Sequence, residues 1–443
     1  MGSFIRLFTG LSRANSEVLM VKKEKEINCI HQNTLFISVY LKWVILILDL
    51  SVEFAGMKLR NPVTVASSPL TATLYRLKQA SKYGASAAST KLAFIKQPFI
   101  GNLQLYSEPG NVLIVPYDKR LDMDEAVELI RRTKEETDLV LLANMTHTAH
   151  DLKGWKRLAL ALEEAGADII ELNFVCPNIE LTAEQLGLEV TESARVGGSV
   201  GLYPELSERV TKAVKESVRV PVVCKLTPEA ADITAVAKAC EKAGADAIAI
   251  GGNYLSLPRL DIYNNGRPLY PSLDKTSFGA LAGPCVRHAA YRTVAQLYRD
   301  LKIPILGGGG ITSWRDVVEM MMWGATMISI CTSIMWYGFE LIERTLKGLE
   351  KFMDEKGYES PKEFIGCAVE HLTSSDNLRH YYHPTVAVVN KEKCNGCIIC
   401  TRPGHCEAIE MKDNKAVIDS KLCVGCGVCQ SLCPQNAITM KGV

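Results

Sequence analysis

The chain has 443 residues, of which 47% are hydrophobic and 22% are charged, and its formal net charge at pH 7 is +1. This composition excludes a disordered or fibrous protein and predicts a globular one of about two or three domains. A net charge so close to zero also lacks the basic signature of a protein that binds nucleic acid or an anionic membrane, so we expect neither partner.

The fifteen cysteines are unevenly distributed. Eight lie between Cys394 and Cys433 and the other seven are scattered, unlike the pattern of a disulfide-dense secreted protein. Scattered thiols beside one dense group indicate a reducing compartment, here the cytoplasm, and a metal-binding module. The scattered cysteines are Cys29, Cys176, Cys224, Cys240, Cys285, Cys331 and Cys367.

The first segment, residues 1–47, precedes the regular pattern of the chain. Its apolar stretch, Leu35–Leu50, contains Lys42 and Asp49 and is shorter than the roughly 20 residues that cross a bilayer. No small-residue cleavage site follows it, so a secretory signal fits poorly. We expect an over-translated or poorly ordered extension; a membrane-associated segment and a packed helix are the alternatives.

From Leu50 onward, short Val-, Ile- and Ala-rich runs alternate with longer segments of helical period. The predicted strands are Pro62–Ala66, Ala85–Thr90, Leu139–Asn144, Asp168–Phe174, Pro221–Leu226, Ala245–Ile250, Ile303–Leu306 and Thr326–Ile330. The predicted helices include Gly154–Ala165, Glu205–Ser217, Ile233–Ala243, Val286–Arg299 and Trp314–Trp323. Eight such units predict an α/β domain over residues 48–371, a closed eight-stranded parallel TIM barrel, with an open doubly wound sheet as the alternative.

Polar residues or glycines lie at the carboxyl ends of the predicted strands or directly after them, where a barrel of this kind places its active site. They are Ser67, Ser68, Lys91, Asn144, Asn173, Lys225, Asn253, Gly307–Gly310 and Thr332. Barrels commonly bind a phosphate between the loops after strands seven and eight, here Gly307–Thr312 and Ile330–Ser333. Lys91 and Lys225 would lie in the barrel mouth, where a buried lysine needs an electron-rich partner such as a flavin; lysines that reach solvent are the alternative.

Five segments of the barrel region have a distinctive order: LSVEFAGMKLRNPV (Leu50–Val63), STK (Ser89–Lys91), ELNFVCPN (Glu171–Asn178), GALAGPCVRHAA (Gly279–Ala290) and IPILGGGGITSWRDVVEMMMWGA (Ile303–Ala325). Together they resemble class 1 dihydroorotate dehydrogenases and dihydropyrimidine dehydrogenases. The loop GGSVGLYPEL (Gly197–Leu206) and the C-terminal cysteines resemble the catalytic subunit of bacterial NAD-dependent dihydropyrimidine dehydrogenases. The resemblance implies FMN as cofactor, held by Ser67, Ser68, Lys91, Asn173, Lys225, Gly283, Gly308, Gly309, Gly310, Cys331 and Thr332.

The same resemblance implies a catalytic role for Cys176, which would move a proton at a substrate carbon while FMN exchanges hydride. The substrate ring would be held by Asn144, Asn173, Asn178 and Asn253. A loop cysteine can act as acid or base, and an asparagine offers both a donor and an acceptor to an imide edge. The alternative is that Cys176 is a small buried filler.

Three segments around the substrate depart from the family pattern. Gly252 stands where the family has asparagine, and Asn253 takes that role only with a one-residue insertion. Ile179–Gly197 is an unusually long insertion. In the segment NMTHTAHD, the candidates are Asn144, Thr146 and His147.

A polar connector, residues 372–390, leads to a predicted α+β ferredoxin-like domain over residues 391–443. Its two cysteine groups are Cys394, Cys397, Cys400 and Cys406, and then Cys423, Cys426, Cys429 and Cys433. The second group, followed by Pro434, matches the bacterial ferredoxin run, in which the fourth cysteine ligates the other cluster. We therefore expect two 4Fe–4S clusters, with Cys433 completing the first set of ligands and Cys406 the second. Structural zinc is the alternative.

These features predict an FMN-dependent oxidoreductase that acts on a CH–CH bond of a dihydropyrimidine-like ring and exchanges electrons through the clusters. The resemblance implies a partner flavoprotein subunit that contains FAD and uses NAD(P)H. We also expect a homo- or hetero-oligomer. Dihydroorotate oxidation in pyrimidine synthesis is one alternative. A flavin and iron–sulfur electron-transfer subunit of a larger complex is the other.

Overall fold

The computed structural model describes residues 48–97, 104–176, 178, 186–187, 189 and 196–443. The predicted extension 1–47, Pro177 and most of the insertion 179–197 lie outside the described residues. The chain divides into two compact units, one reaching Glu370 and the other formed by His371–Val443. Within the described residues, no helix combines the length and the apolar character needed to cross a membrane.

Eight parallel strands form a closed barrel in the first unit, which confirms the predicted TIM barrel and rules out the open sheet. They are β1 (Val63–Val65), β2 (Ala87–Ser89), β3 (Val140–Met145), β4 (Ile169–Phe174), β5 (Val222–Leu226), β6 (Ala247–Ile250), β7 (Ile305–Gly308) and β8 (Met327–Ile330). Each strand pairs with the next in sequence. The register of Ser329 with Thr64 joins β8 to β1 and closes the barrel.

Helices connect and surround the strands. They are α1 (Leu74–Lys82), α2 (Met123–Glu136), α3 (Leu152–Glu164), α4 (Gly198–Gly201), α5 (Pro204–Lys215), α6 (Ile233–Lys242), α7 (Arg287–Asp300), α8 (Trp314–Met322), α9 (Thr332–Tyr337) and α10 (Glu340–Lys356). Residues at the N-terminal ends determine where several of these helices begin. Asp122 and Glu125 form a capping box before α2, and Pro204 occupies the first turn of α5, where its missing N–H is not needed.

Apolar side chains of the strands pack outward against the helices. Trp155 of α3 is fully buried and makes an edge-to-face contact with Phe174 of β4, with 6.0 Å between ring centroids. Burying an apolar side chain of this kind contributes about 1.5–3 kcal/mol to stability. This outer layer of contacts holds the strands so that their carboxyl ends meet in one mouth.

Further strands surround the barrel. A hairpin of Val52–Phe54 and Met57–Leu59 precedes β1, and Ala93–Phe94 with Leu121–Asp122 extends the sheet beside β3. An antiparallel sheet consists of Gln104–Glu108, Val112–Tyr117, Tyr254–Ser256 and Gly279–Ala282, and a short ladder joins Leu260–Asp261 to Arg267–Pro268. The antiparallel sheet brings residues from three loops to the mouth of the barrel.

The second unit is α+β, but it begins earlier than the sequence analysis expected. Thr385–Val389 lies in the predicted connector, yet it forms an antiparallel ladder with Ile438–Gly442. The β-branched run TVAVV favours a strand that only its distant partner can stabilise. A second hairpin, Ile409–Lys412 with Lys415–Ile418, and the helix α11 (Val428–Leu432) complete the secondary structure.

Candidate functional site

A cavity of about 690 Å³ opens at the carboxyl ends of the barrel strands. The volume is within the roughly 300–1,000 Å³ typical of small-molecule and cofactor sites. Most of the residues expected at the site line this cavity: Ser67, Ser68, Lys91, Asn173, Cys176, Asn178, Lys225, Asn253, Gly283, Gly309, Gly310, Cys331 and Thr332. The strand-end positions in the sequence therefore converge on one chamber.

Two of the predicted contact residues do not line the cavity. Asn144 is fully buried in β3, where its amide hydrogen-bonds to Glu171 and to Asn173. Gly308 lies within β7, and a Cβ there would stand 2.2 Å from Ser329 Oγ. Asn144 therefore faces the packed interior of the barrel and Gly308 lies against the neighbouring strand β8, so their expected contacts with substrate and cofactor stay predictions.

The loops after β6 and β7 approach each other through their glycines. Gly309 and Gly310 have φ angles of +105° and +77°, which a residue with a side chain rarely adopts. A Cβ on Gly252 would lie 2.5 Å from Gly309 Cα, so backbone is in contact with backbone. Ser333 Oγ donates to Ile311 O at 2.6 Å and ties the loop after β8 to the glycine loop. Bare backbone therefore faces the cavity at the end expected to hold phosphate.

Charged side chains that the sequence analysis did not identify meet Lys91 in the cavity wall. The Lys91 ammonium forms a buried ion pair with Asp118, and Arg120 Nη1 donates to the same carboxylate at 2.7 Å. Asp118 and Arg120 follow the apolar run VLIVPY of the antiparallel sheet. In the sequence, these partners of Lys91 were indicated only by the position of charged residues directly after that apolar run.

Burial, with the adjacent Arg120 charge, lowers the pKa of the Lys91 ammonium to about 8. The unfolded chain holds this proton up to its ordinary pKa of about 10.4, so between these values the unfolded state binds more protons than the folded one. The free energy of unfolding of the flavin-stripped protein should therefore rise with pH from about 8 to 10, by at most about 3 kcal/mol from this group. In Lys91→Met, urea titrations at several pH values should show a smaller rise in the free energy of unfolding over this range. A rise as large as that of the wild type would contradict the assignment of this effect to Lys91.

The loop after β4 is held by its own asparagine. Asn173 Oδ1 accepts the N–H groups of Val175 at 2.9 Å and of Cys176 at 2.8 Å. The Cys176 side chain is half-buried, and Asn253 Nδ2 donates to its Sγ at 3.4 Å. Gly252 and Asn253 both line the cavity, but Asn253 has the side chain that reaches the thiol. Asn178 also lines the cavity, but its Oδ1 is buried against Gly198, where a Cβ would stand 2.1 Å from it, and this oxygen has no hydrogen-bond partner among the described residues.

The other candidates after β3 lie away from this chamber. His147 Nε2 contacts Asp151 Oδ2 at 2.8 Å, and His147 is not among the described residues that line the cavity. Thr146 is fully buried and likewise absent from the described lining. Of the three candidates in this segment, Asn144 alone hydrogen-bonds to a residue of the cavity wall, Asn173.

The eight clustered cysteines separate into two sets in the second unit. One small cavity is lined by Cys394, Cys397, Cys400 and Cys433, and another by Cys406, Cys423, Cys426 and Cys429. Backbone hydrogen bonds from Ala416 and Gly396 lower the pKa of the Cys394 thiol, which favours the thiolate that binds metal. Among the described residues, no group of three or more acidic, histidine or cysteine side chains is arranged so that it could hold a single metal ion. A cubane cluster keeps its thiolates further apart, since each binds a different iron.

Comparisons with known proteins match both units. Residues 49–353 match the family model described as dihydroorotate dehydrogenase, and residues 416–439 match a 4Fe-4S binding domain. The NAD-dependent dihydropyrimidine dehydrogenase subunit PreA of Escherichia coli (strain K12) is 30% identical over 383 residues, which cover 82% of this chain and 88% of the relative.

Two archaeal proteins named dihydroorotate dehydrogenase B (NAD(+)), catalytic subunit, are also similar. That of Pyrococcus furiosus is 33% identical over 326 residues, covering 72% of this chain and 99% of the relative. That of Methanothermobacter thermautotrophicus is 31% identical over 320 residues, covering 72% and 98%. The chain therefore belongs to the dihydroorotate dehydrogenase family of flavin-dependent oxidoreductases, and it carries a 4Fe–4S binding domain.

Proposed function

We propose that this protein is an FMN-dependent oxidoreductase that acts on the CH–CH bond next to a carbonyl in a dihydropyrimidine-like ring. The observation that carries the proposal is the contact between Cys176 Sγ and Asn253 Nδ2 in the same cavity as Lys91, Lys225 and the glycine loop. A thiol able to move a proton thus lies in one chamber with groups suited to a flavin and to an imide ring.

The cavity suits FMN at both ends. Gly309 and Gly310 offer backbone without side chains where a phosphate would lie, beside Thr332 at the start of α9. Lys91 and Lys225 supply positive charge for the electron-rich edge of the ring, and Ser67 and Ser68 line the same wall. Bound FMN would supply hydride exchange with the substrate.

The protein's own residues would then bind the ring and move the proton. Asn178 lines the cavity, and Asn253 presents an amide beside the thiol. Asn173 lines the cavity while its oxygen holds the loop. Cys176 would give a proton to the substrate carbon, or take one from it, as hydride moves at the neighbouring carbon.

Electrons would leave or enter through two 4Fe–4S clusters. We assign Cys394, Cys397, Cys400 and Cys433 to one cluster and Cys406, Cys423, Cys426 and Cys429 to the other, in agreement with the two cavities that these sets line. The named relatives are subunits of NAD-linked enzymes, so we propose an FAD-containing partner subunit that uses NAD(P)H, in a homo- or hetero-oligomer. The free thiols scattered through the barrel favour a cytoplasmic location.

Dihydroorotate is the second candidate substrate, because the archaeal relatives carry that name. Anaerobic flavin absorbance with uracil, thymine, orotate and their dihydro forms separates the two. We expect dihydrouracil or dihydrothymine to bleach the oxidised flavin, and uracil or thymine to reoxidise the reduced flavin. A response to dihydroorotate and orotate alone would replace the proposal with the second candidate, and no response to any of the six would refute both.

A further inference from the structure

A buried carboxylate lies beneath the loop that carries Cys176. Glu171 is in the middle of β4, two residues before Asn173 and on the same face of the sheet, and only 1% of its surface is exposed. Its Oε1 accepts from Ser89 Oγ at 3.2 Å, and its Oε2 accepts from Asn144 Nδ2. Burying a carboxylate costs free energy, so we expect Glu171 to have a structural or functional role.

The hydrogen bonds continue from Glu171 to the loop. Asn144 Oδ1 accepts from Asn173 Nδ2 at 2.9 Å. Asn173 Oδ1 then accepts the N–H groups of Val175 and Cys176. Both asparagines therefore turn the amide nitrogen toward Glu171 and the amide oxygen toward the loop.

The carboxylate decides this direction. An asparagine amide presents a donor at one end and an acceptor at the other, and the two orientations have nearly the same shape. Because Glu171 accepts, Asn144 must donate to it, which leaves the oxygen of Asn144 for Asn173. We propose that Glu171 is a positioning residue that orients the Cys176 loop through Asn144 and Asn173. Its catalytic meaning rests on the proposed function, whereas its effect on the loop does not.

Reversal of the two amides would disconnect the loop. Asn173 Nδ2 would then face the N–H groups of Val175 and Cys176, and both donors would lose their acceptor. The loop would no longer be held where Cys176 Sγ meets Asn253 Nδ2.

Amide hydrogen exchange at Val175 and Cys176 in the full-length, FMN-loaded enzyme tests the proposal directly. Glu171→Leu removes the acceptor at similar volume, so both amides should exchange about tenfold faster. Thr64→Val is the matched control, because Thr64 is a fully buried barrel residue whose hydroxyl has no hydrogen-bond partner among the described residues. The control should leave both exchange rates at the wild-type value.

A second pair of variants keeps the test decisive if the apolar variant does not fold. Glu171→Gln offers Asn144 a donor as well as an acceptor, so Asn144 can reverse and both amides should exchange faster than in the wild type. Adding Asn144→Asp lets the glutamine amide donate to residue 144, whose other oxygen can only accept from Asn173, so protection should return to within about threefold of wild type.

Wild-type exchange in a folded Glu171→Leu protein would overturn the proposal, as would a double variant that exchanges as fast as a Glu171→Gln variant with faster-than-wild-type exchange. The readout is independent of turnover. Faster exchange in Glu171→Leu together with full turnover in Cys176→Ala would therefore refute the proposed chemistry and leave the positioning role standing.

Discussion

Replacing Cys176 with alanine should lower turnover by about 10²–10⁴-fold, the usual effect of removing a positioned acid–base group. Hydride exchange at one substrate carbon must be matched by proton transfer at the next, and Cys176 is a half-buried cavity thiol in contact with Asn253 Nδ2. FMN content, iron content and substrate binding should stay at wild-type values, because Asn173 accepts from the backbone of Cys176 and not from its side chain.

Cys176→Ser should have turnover between those of the alanine variant and the wild type, since a hydroxyl is a poorer acid but can relay a proton in the same geometry. Cys367→Ala provides the thiol control, because Cys367 packs partly buried against the barrel core and does not line the described cavity. Steady-state rates and single-turnover flavin absorbance, measured across pH, check both variants. Near-normal turnover in Cys176→Ala would assign the loop a structural role and require another acid–base group.

Cys426→Ala should abolish partner-linked turnover while direct photoreduction of the flavin survives. Cys426 lines a cavity with Cys406, Cys423 and Cys429, so its loss would leave the cluster proposed there with three thiolates. None of these four cysteines is among the described residues that line the barrel cavity, so the variant should retain FMN.

Iron analysis, low-temperature EPR of the dithionite-reduced protein and turnover with an external acceptor measure this outcome. The EPR signal of one proposed cluster should disappear and that of the other should remain, because the ligands proposed for it, Cys394, Cys397, Cys400 and Cys433, line a separate cavity. Cys367→Ala again serves as the matched control with intact clusters. Partner-linked turnover at the wild-type level would exclude this cluster from the electron path.

Much of the fold could be predicted because its signals are local. The strands are short runs of Val, Ile and Ala, such as those that became β4 and β5, and their boundaries differ from the predicted ones by a few residues at most. The strand-end positions of Lys91, Asn173 and Lys225 followed from the barrel alone, because parallel strands carry their functional residues at one end. Cysteine spacing likewise predicted which four thiols line each small cavity.

The chain's sequence by itself therefore determined the barrel, the candidate active-site loop and the two sets of thiols. Only the tertiary structure decided that Asn144 points into the barrel toward Glu171, that Asp118 pairs with Lys91, and that Asn253 reaches Cys176. Thr385–Val389 likewise became a strand through a partner about fifty residues away. The physical reason is the same in each case: these contacts join residues far apart in sequence, and hydrogen-bond direction, ion pairing and strand pairing exist only after the fold brings both partners together.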